Sequence, residues 1–180
     1  LEYTEKNAAV RSMAISDNGI AIIGFESRGQ IGIVKLVDFS SLIGPRVLDT
    51  RVWMLGFGNG VDITQDSMMA VIGSPNENAV YTYNISNKGT FIPQKKITNK
   101  KMETFGWKVA LSESGNTLAV TAPKAMNDED SKVGAITLYI NSESFWKQLD
   151  EIAYGVEETR KLGLGGVAVN EQTGRIDVVD

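Results

Sequence analysis

A fixed internal period constrains this chain more than any other feature of its sequence. Residues 13–19, 61–67 and 109–115 share one pattern of apolar, small and polar positions, and they follow one another at intervals of 48 residues. A fourth, looser copy ends at Gly174, 59 residues after Gly115. Two further features repeat with the 48-residue step, namely the pair Phe57-Gly58 with Phe105-Gly106 and the pair Pro75 with Pro123. A period of this length is typical of proteins built from stacked supersecondary units.

The repeat predicts four β-strands per full unit and no helix, although no fourth strand is assigned in the first repeat. The first strand alternates apolar and polar residues and ends in a short hairpin, and the second is apolar on both faces and ends at the proline. A third apolar strand and a more polar fourth strand follow, and polar residues suit the outermost position because they discourage pairing with other sheets. The second strands are predicted over residues 20–23, 69–72 and 117–120, the third over 31–36, 79–83 and 135–139, and the fourth around 91–97 and 145–152.

Four antiparallel strands in 40 to 50 residues make a propeller blade. We therefore predict an all-β protein, a β-propeller of four-stranded antiparallel blades with about 3.5–4 blades in a single region over residues 1–180. The repeats are expected at residues 8–55, 56–104, 105–160 and, incomplete, 161–180. Residues 1–4 are expected to be the outer strand of a preceding blade. The terminal pieces together then supply about three strands where a complete blade needs four, so the chain is predicted to be part of a larger, seven-bladed propeller. The alternative is a four-bladed ring closed by its termini.

Composition excludes several classes of function. The chain has no cysteine and no histidine, so a thiolate nucleophile, a zinc–thiolate site and a histidine general base are all impossible. A net charge of −4 argues against nucleic-acid binding, which needs a basic stripe. No apolar run has the length of a membrane helix, so we expect no direct membrane insertion. Catalysis by Asp, Glu, Lys or Tyr remains open, but the usual catalytic constellations are excluded. We expect a protein that is not an enzyme and needs no cofactor.

The two central repeats resemble the FG-GAP repeat of integrin-α-like β-propellers. Phe105-Gly106 and Phe57-Gly58 correspond to the "FG" of that motif, and Thr121-Ala-Pro123 and Gly73-Ser-Pro75 stand where "GAP" usually does. The resemblance implies a surface or extracellular adhesion or assembly module. Its partners would be a protein or glycan ligand, or neighbouring subunits. Calcium-binding members carry an aspartate-rich loop between the first two strands, but the hairpins here hold one carboxylate each, so no metal site is predicted.

Two short segments are candidate sites. Asn84-Ile-Ser86 is a possible N-glycosylation sequon, which carries a glycan only in a secreted eukaryotic protein. Asp128, Glu129 and Asp130 form an acidic loop that either attracts a cation or basic partner, or is simply solvated surface, the interpretation we favour. Gly163 to Gly166 superficially resemble a phosphate-binding loop, but no helix is predicted after them.

The aromatic side chains allow two interpretations. Three tryptophans and three tyrosines recur near related repeat positions, and we expect them to pack between blades rather than to stack on sugars: Trp53, Trp107, Trp146, Tyr81, Tyr83 and Tyr139. The leading functional hypothesis is thus a non-enzymatic binding or structural module. One alternative is a carbohydrate-binding or enzymatic propeller whose site lies in blades outside this chain. The other is a subunit of a filament or capsid.

Overall fold

The chain folds into three four-stranded antiparallel sheets and one two-stranded sheet, as seen in a computed structural model that describes residues 8–27, 31–142, 145–156 and 161–179. Each sheet is formed by strands that follow one another along the chain, as the repeat predicts. Blade 1 contains β1 (Ala8–Ile15), β2 (Ile20–Ser27), β3 (Ile31–Asp38) and β4 (Arg46–Met54). Blade 2 contains β5 (Val61–Ile63), β6 (Met69–Ser74), β7 (Ala79–Ile85) and β8 (Phe91–Thr98). Blade 3 contains β9 (Val109–Leu111), β10 (Thr117–Ala122), β11 (Ala135–Ser142) and β12 (Phe145–Tyr154). The half-blade contains β13 (Gly166–Asn170) and β14 (Arg175–Val179).

Successive blades pack face to face through two apolar cores. The core between blades 1 and 2 includes Ile22 and Leu36 from one side and Ile72 and Phe91 from the other. The core between blades 2 and 3 is centred on Phe105, which is fully buried. Second strands such as β6 contribute to both cores, because alternate residues of a strand point to opposite faces. This explains why the second strands are apolar at nearly every position.

The 48-residue period reappears in hydrogen bonds between equivalent positions of neighbouring blades. The Asn18 amide donates to the carbonyl of Asp66, and the Asn59 amide donates to the carbonyl of Trp107, each across 48 residues. In the third repeat the indole of Trp107 donates to Leu164, 57 residues on, because that repeat is longer. These bonds hold successive blades in the same relation to one another.

The phenylalanine–glycine pairs have a structural explanation. Phe57 and Phe105 are buried in the two cores, and each is followed by a glycine with a left-handed backbone, with φ of +86° at Gly58 and +91° at Gly106. A side chain on Gly73 would lie 2.1 Å from the carbonyl oxygen of Gly106. Glycine therefore permits both the turn into each blade and the close approach of the preceding one.

The structure agrees with the predicted strands, with one omission. The outer strand β4 of blade 1 was not predicted, because its mixed sequence Arg46–Met54 lacks a regular pattern. Pro75 and Pro123 directly follow β6 and β10, as expected for residues that cannot donate to a ladder. Residues 1–4 lie outside the described part of the chain. No helix among the described residues has the length and apolar character to cross a membrane.

Candidate functional site

An aromatic cleft opens between blades 1 and 2, at the outer strands of the two sheets. Its volume is about 440 Å³. Outer strand β4 forms one wall, Pro93 of β8 lies opposite, and aromatic rings form the floor. The side chains that define the cleft are Arg51, Trp53, Phe57, Tyr81, Tyr83 and Pro93. Because two sheets contribute to it, the cleft depends on the packing of the two blades.

Trp53 reaches the cleft because β4 is long. Trp53 pairs with Gly32 of β3, and Arg51 pairs with Val34, whose side chain lies in the core between blades 1 and 2. Cross-strand partners share a face of the sheet, so Arg51 and Trp53 both point toward blade 2. Trp53 remains 52 % exposed. A large aromatic surface is thus presented to solvent at the rim of the cleft.

Glu77 fixes the aromatic side chains around the cleft. One of its carboxylate oxygens, Oε2, accepts hydrogen bonds from the indole Nε1 of Trp53 at 3.1 Å, the hydroxyl of Tyr81 at 2.8 Å and the hydroxyl of Ser74 at 3.0 Å. The other oxygen, Oε1, accepts from the ammonium of Lys96 at 2.7 Å. Both oxygens are therefore occupied, and the carboxylate bridges blade 1 to blade 2.

The hydrogen bonds keep this cluster ionised. Partial burial raises the pKa of the Glu77 carboxyl, but the hydrogen bonds from Lys96, Tyr81 and Ser74 outweigh it and hold the pKa below its ordinary value. The hydrogen bond to Glu77 raises the pKa of Lys96. The Lys96 ammonium also lies 5.0 Å from the centre of the Tyr81 ring, within cation–π distance. The cluster has no free general acid or base at neutral pH.

The interface between blades 2 and 3 differs from that between blades 1 and 2 at the position that corresponds to the cleft. Strand registers make Thr137 of blade 3 the equivalent of Tyr81 in blade 2. Thr137 is buried beneath Met102, whose sulfur lies 3.2 Å from the threonine hydroxyl oxygen. Met102 is only 4 % exposed and belongs to the core between blades 2 and 3. A side chain of the protein thus occupies the interface where blades 1 and 2 have an open cleft.

The predicted glycosylation residue lies away from this cleft. Asn84 is exposed on β7, paired with Met69 and Ile92. It lines a second depression of about 630 Å³ beside the hairpins of blade 2. Polar side chains there bond within their own hairpins, as when Asp66 accepts hydrogen bonds from Thr64 and from the backbone of Met68. The exposure of Asn84 leaves the sequon accessible, and glycosylation stays a prediction.

The acidic loop is also separate from the cleft. Asp128, Glu129 and Asp130 are exposed in the long connection between β10 and β11. The amide oxygen of Asn127 accepts backbone hydrogen bonds from Glu129 and Ser131, which closes the loop as an Asx turn. Within the described ranges, no group of three or more acidic side chains could hold a metal ion.

The aromatic side chains mostly follow the packing interpretation. Tyr83 and Tyr139 lie in the two interblade cores, and Trp146 packs against the second of them. Burial raises the pKa of Tyr139 to about 12. Trp53 and Trp107 instead form hydrogen bonds between blades at the surface. Sequence reasoning missed Glu77 altogether, since two of its four partners, Trp53 and Lys96, lie 24 residues before it and 19 after it, and no local pattern connects them.

Comparison with known proteins identifies the fold. No family model matches the chain, and no curated protein matches it. Solved structures do match. Sqt1 from Chaetomium thermophilum has 12% identity and a TM-score of 0.67, over 98% of this chain and 42% of that chain. The β-propeller domain of Cps50 (Swd1) from Myceliophteria thermophila has 12% identity and a TM-score of 0.61, over 96% of this chain and 54% of that one. Hydrazine synthase from Kuenenia stuttgartiensis has 13% identity and a TM-score of 0.62, over 100% of this chain and 49% of that one.

The chain spans about half the length, or less, of these structures. At such low identity the likeness shows the fold alone. Since one of the matched proteins is named as a synthase, the fold by itself does not separate enzymes from other proteins. The FG-GAP resemblance receives no support from a family model and stays a prediction. The chain is an all-β protein with the β-propeller fold.

Proposed function

We propose that this chain is a protein-binding propeller module without catalytic activity, and that its partner binds the cleft between blades 1 and 2. The observation that carries the proposal is Trp53, which is half-exposed yet held in place by its hydrogen bond to Glu77. Tryptophan side chains contribute disproportionately to protein–protein affinity, and a fixed orientation lowers the entropy lost on binding. Met102 fills the comparable interface between blades 2 and 3. The open cleft is therefore a feature of the interface between blades 1 and 2 and not of this second interface.

The chemistry of the cleft supports binding rather than catalysis. Oε2 of Glu77 accepts three hydrogen bonds, and Oε1 is paired with the ammonium of Lys96. Among the described residues the carboxyl with a strongly raised pKa is Asp62, at about 6, and it accepts hydrogen bonds from the backbone of Ile63 and Leu111 inside the blade 2–blade 3 contact. General acid–base catalysis requires a titratable group that is free to exchange a proton, whereas Glu77 and Lys96 are paired with each other.

The proposal also covers where the protein acts and which family its blades resemble. We propose that the blades are FG-GAP-like and that the module acts in adhesion or assembly outside the cell or on a particle surface. The support is the pair of phenylalanine–glycine turns at Phe57 and Phe105, together with the exposed sequon at Asn84. Intact mass before and after glycosidase treatment tests the setting: a loss of sugar-sized mass that Asn84→Gln abolishes is expected, and an unchanged mass in protein from the native source contradicts it.

Site-specific crosslinking tests the binding proposal. A photoreactive benzoylphenylalanine is placed at Thr50, which is exposed and lines the cleft, so that Trp53 is kept. As a control it is placed at Phe145, which is 71% exposed on the outer strand of blade 3. Each variant is irradiated with protein from the native source, and the crosslinked partner is identified and purified. We expect a partner that crosslinks through residue 50 and not through residue 145.

The purified partner then provides an affinity test. Trp53→Ala should weaken its binding about tenfold or more, as for an interface hot spot, whereas Phe145→Ala should leave it unchanged. Trp53 is half-exposed, so the variant should keep the wild-type circular dichroism spectrum. Equal affinity of wild-type and Trp53→Ala protein would overturn the proposal.

A glycan ligand is a second candidate, because an exposed indole beside a carboxylate suits stacking against a sugar ring. It is less well supported, since the Glu77 oxygens already accept four hydrogen bonds and have little capacity for sugar hydroxyls. A glycan array distinguishes the two. Specific glycan binding that Trp53→Ala abolishes would replace the protein partner with a carbohydrate.

A further inference from the structure

We infer that the cleft recognises its partner by accepting one long, flexible apolar side chain, and that methionine is the residue that suits it best. The inference rests on the proposed function and names the chemistry of the partner. It comes from a comparison of the two blade interfaces within the chain, because the second interface shows what occupies the corresponding space.

Met54 and Met102 are equivalent residues of successive repeats. Each lies three residues before a buried phenylalanine, and in each case the phenylalanine backbone N–H donates to the methionine carbonyl, at 3.2 Å for Phe57 and 3.1 Å for Phe105. The two turns therefore have the same hydrogen bonding. Their side chains nevertheless differ sharply in environment, since Met54 is 50% exposed and Met102 is 4% exposed.

The lengths of the outer strands explain this difference. Strand β8 ends at Thr98, so Met102 lies beyond the strand, in a connection that turns its side chain into the blade interface. Strand β4 continues to Met54 itself, which pairs with Ile31. Alternation along β4 then points Trp53 toward blade 2 and Met54 toward the opposite face. Met54 cannot reach the cleft without breaking the end of β4, so no methionine among the described residues lines the cleft.

The surface of the cleft suits a thioether. Its floor is formed by Phe57, Tyr81 and Tyr83, and the rings of Phe57 and Tyr81 meet edge to face at 5.6 Å. Methionine sulfur makes favourable contacts with aromatic rings, and the unbranched side chain adapts to an irregular apolar space. Glu77 and Lys96 already pair with each other. Arg51, the other charged side chain of the cleft, already donates to the Phe91 carbonyl at 2.7 Å and pairs with Asp49 at 3.1 Å. An uncharged apolar group is thus favoured over a charged or strongly polar one.

Small probes test the inference directly. The chain has three tryptophans, so the indole N–H signals in an ¹⁵N–¹H spectrum are few, and Trp53→Phe identifies the signal of residue 53. The protein is titrated with N-acetyl-methionine amide and with N-acetyl-norleucine amide, in which a methylene group replaces the sulfur. The polar probe is N-acetyl-glutamine amide, whose side chain has a similar length. We expect the Trp53 signal to shift in a saturable way with the methionine probe and to show weaker binding of the norleucine probe. The glutamine probe should bind at least about tenfold more weakly than the methionine probe, because its amide must be desolvated in an apolar site.

The outcomes separate this inference from the proposed function. Equal shifts with the methionine and glutamine probes, or no shift with any of them, would overturn the inference. The protein-binding proposal would still stand if Trp53→Ala weakens the binding of the purified partner. Replacement of the partner's contacting methionine by glutamine then gives an independent check, with a loss of about tenfold or more expected and unchanged affinity again contradicting the inference.

A variant at the second interface is the matched positive control. Met102→Ala removes the side chain that fills the space between blades 2 and 3. We expect this variant to be less stable and to regain melting temperature in the presence of N-acetyl-methionine amide, more than wild-type protein does, because ligands that bind only the folded state stabilise it. An equal effect on both proteins would contradict the idea that methionine side chains suit these interfaces. If the variant does not fold, the wild-type titration decides alone.

Discussion

Replacing Gly73 with alanine should force blades 2 and 3 apart. The added Cβ atom would lie 2.1 Å from the carbonyl oxygen of Gly106 and 3.0 Å from its carbonyl carbon. Ordinary contacts of a Cβ atom begin near 3.4 Å, so the two backbones must separate by about 1 Å. The obstructing atoms belong to backbone rather than to a flexible side chain, so local rotation cannot relieve the clash.

The size of the effect follows from this geometry. Overpacking a tightly packed interior costs about 1–3 kcal/mol, and we expect the upper end of this range because the contact is with backbone. For a chain of this size, 1 kcal/mol corresponds to about 2–4 °C in melting temperature. The expected loss for Gly73→Ala is therefore about 6–12 °C, measured by circular dichroism at a fixed heating rate.

Gly166→Ala is the matched control. No atom lies within 4 Å of a Cβ added at Gly166, and its backbone is not in the left-handed region. This change should be neutral or stabilise slightly, because alanine lowers the entropy of the unfolded chain. A melting temperature of Gly73→Ala within about 2 °C of that of Gly166→Ala would refute the reasoning, since blades 2 and 3 would then be able to separate at little cost.

Three further predictions concern the interfaces between blades. Burial raises the pKa of Asp62 to about 6, so near pH 5 the folded chain holds a proton that the unfolded chain has released. The free energy of unfolding should therefore fall by about 1 kcal/mol as pH rises from 5 to 7. Urea midpoints that rise over this range would contradict the prediction. Phe105→Ala should cost about 3–5 kcal/mol because the ring is fully buried, whereas Phe145→Ala, at an exposed position, should cost less than about 1 kcal/mol; equal urea midpoints would disprove the difference. Asn59→Ala removes a hydrogen bond of 2.8 Å to the Trp107 carbonyl and should cost about 1 kcal/mol in the same assay; no change in the midpoint would mean that this bond adds nothing.

The propeller could be predicted because its pattern is repeated. One run such as residues 117–120 is ambiguous alone, but it has counterparts 48 and 97 residues before it. A proline follows each of the last two runs, which leaves few alternatives to a strand. Strand β4 escaped prediction because its residues alternate irregularly between charged and apolar types. The same period would have located it, since its position corresponds to that of β8.

The cleft could not be predicted, because it depends on a difference between repeats rather than on their similarity. Met54 and Met102 occupy equivalent places in the sequence, and only the length of the preceding strand decides which of them is buried. Glu77 gathers its partners from blade 1, β7 and β8, and this convergence exists only after the blades have packed. The aromatic residues were visible in the sequence, but their separation into core and surface was not.

The hydrogen bonds that span 48 residues, from one repeat to the next, have an evolutionary consequence. Asn18 contacts the equivalent position of the next repeat, Asp66, and Asn59 likewise contacts Trp107. A tandem duplication of one repeat would therefore supply the new blade with both the donor for its successor and the acceptor for its predecessor. A gene that encodes such a unit can lengthen by whole copies without inventing a new interface. Later substitutions are then free to make one junction, such as that at Trp53, different from the rest.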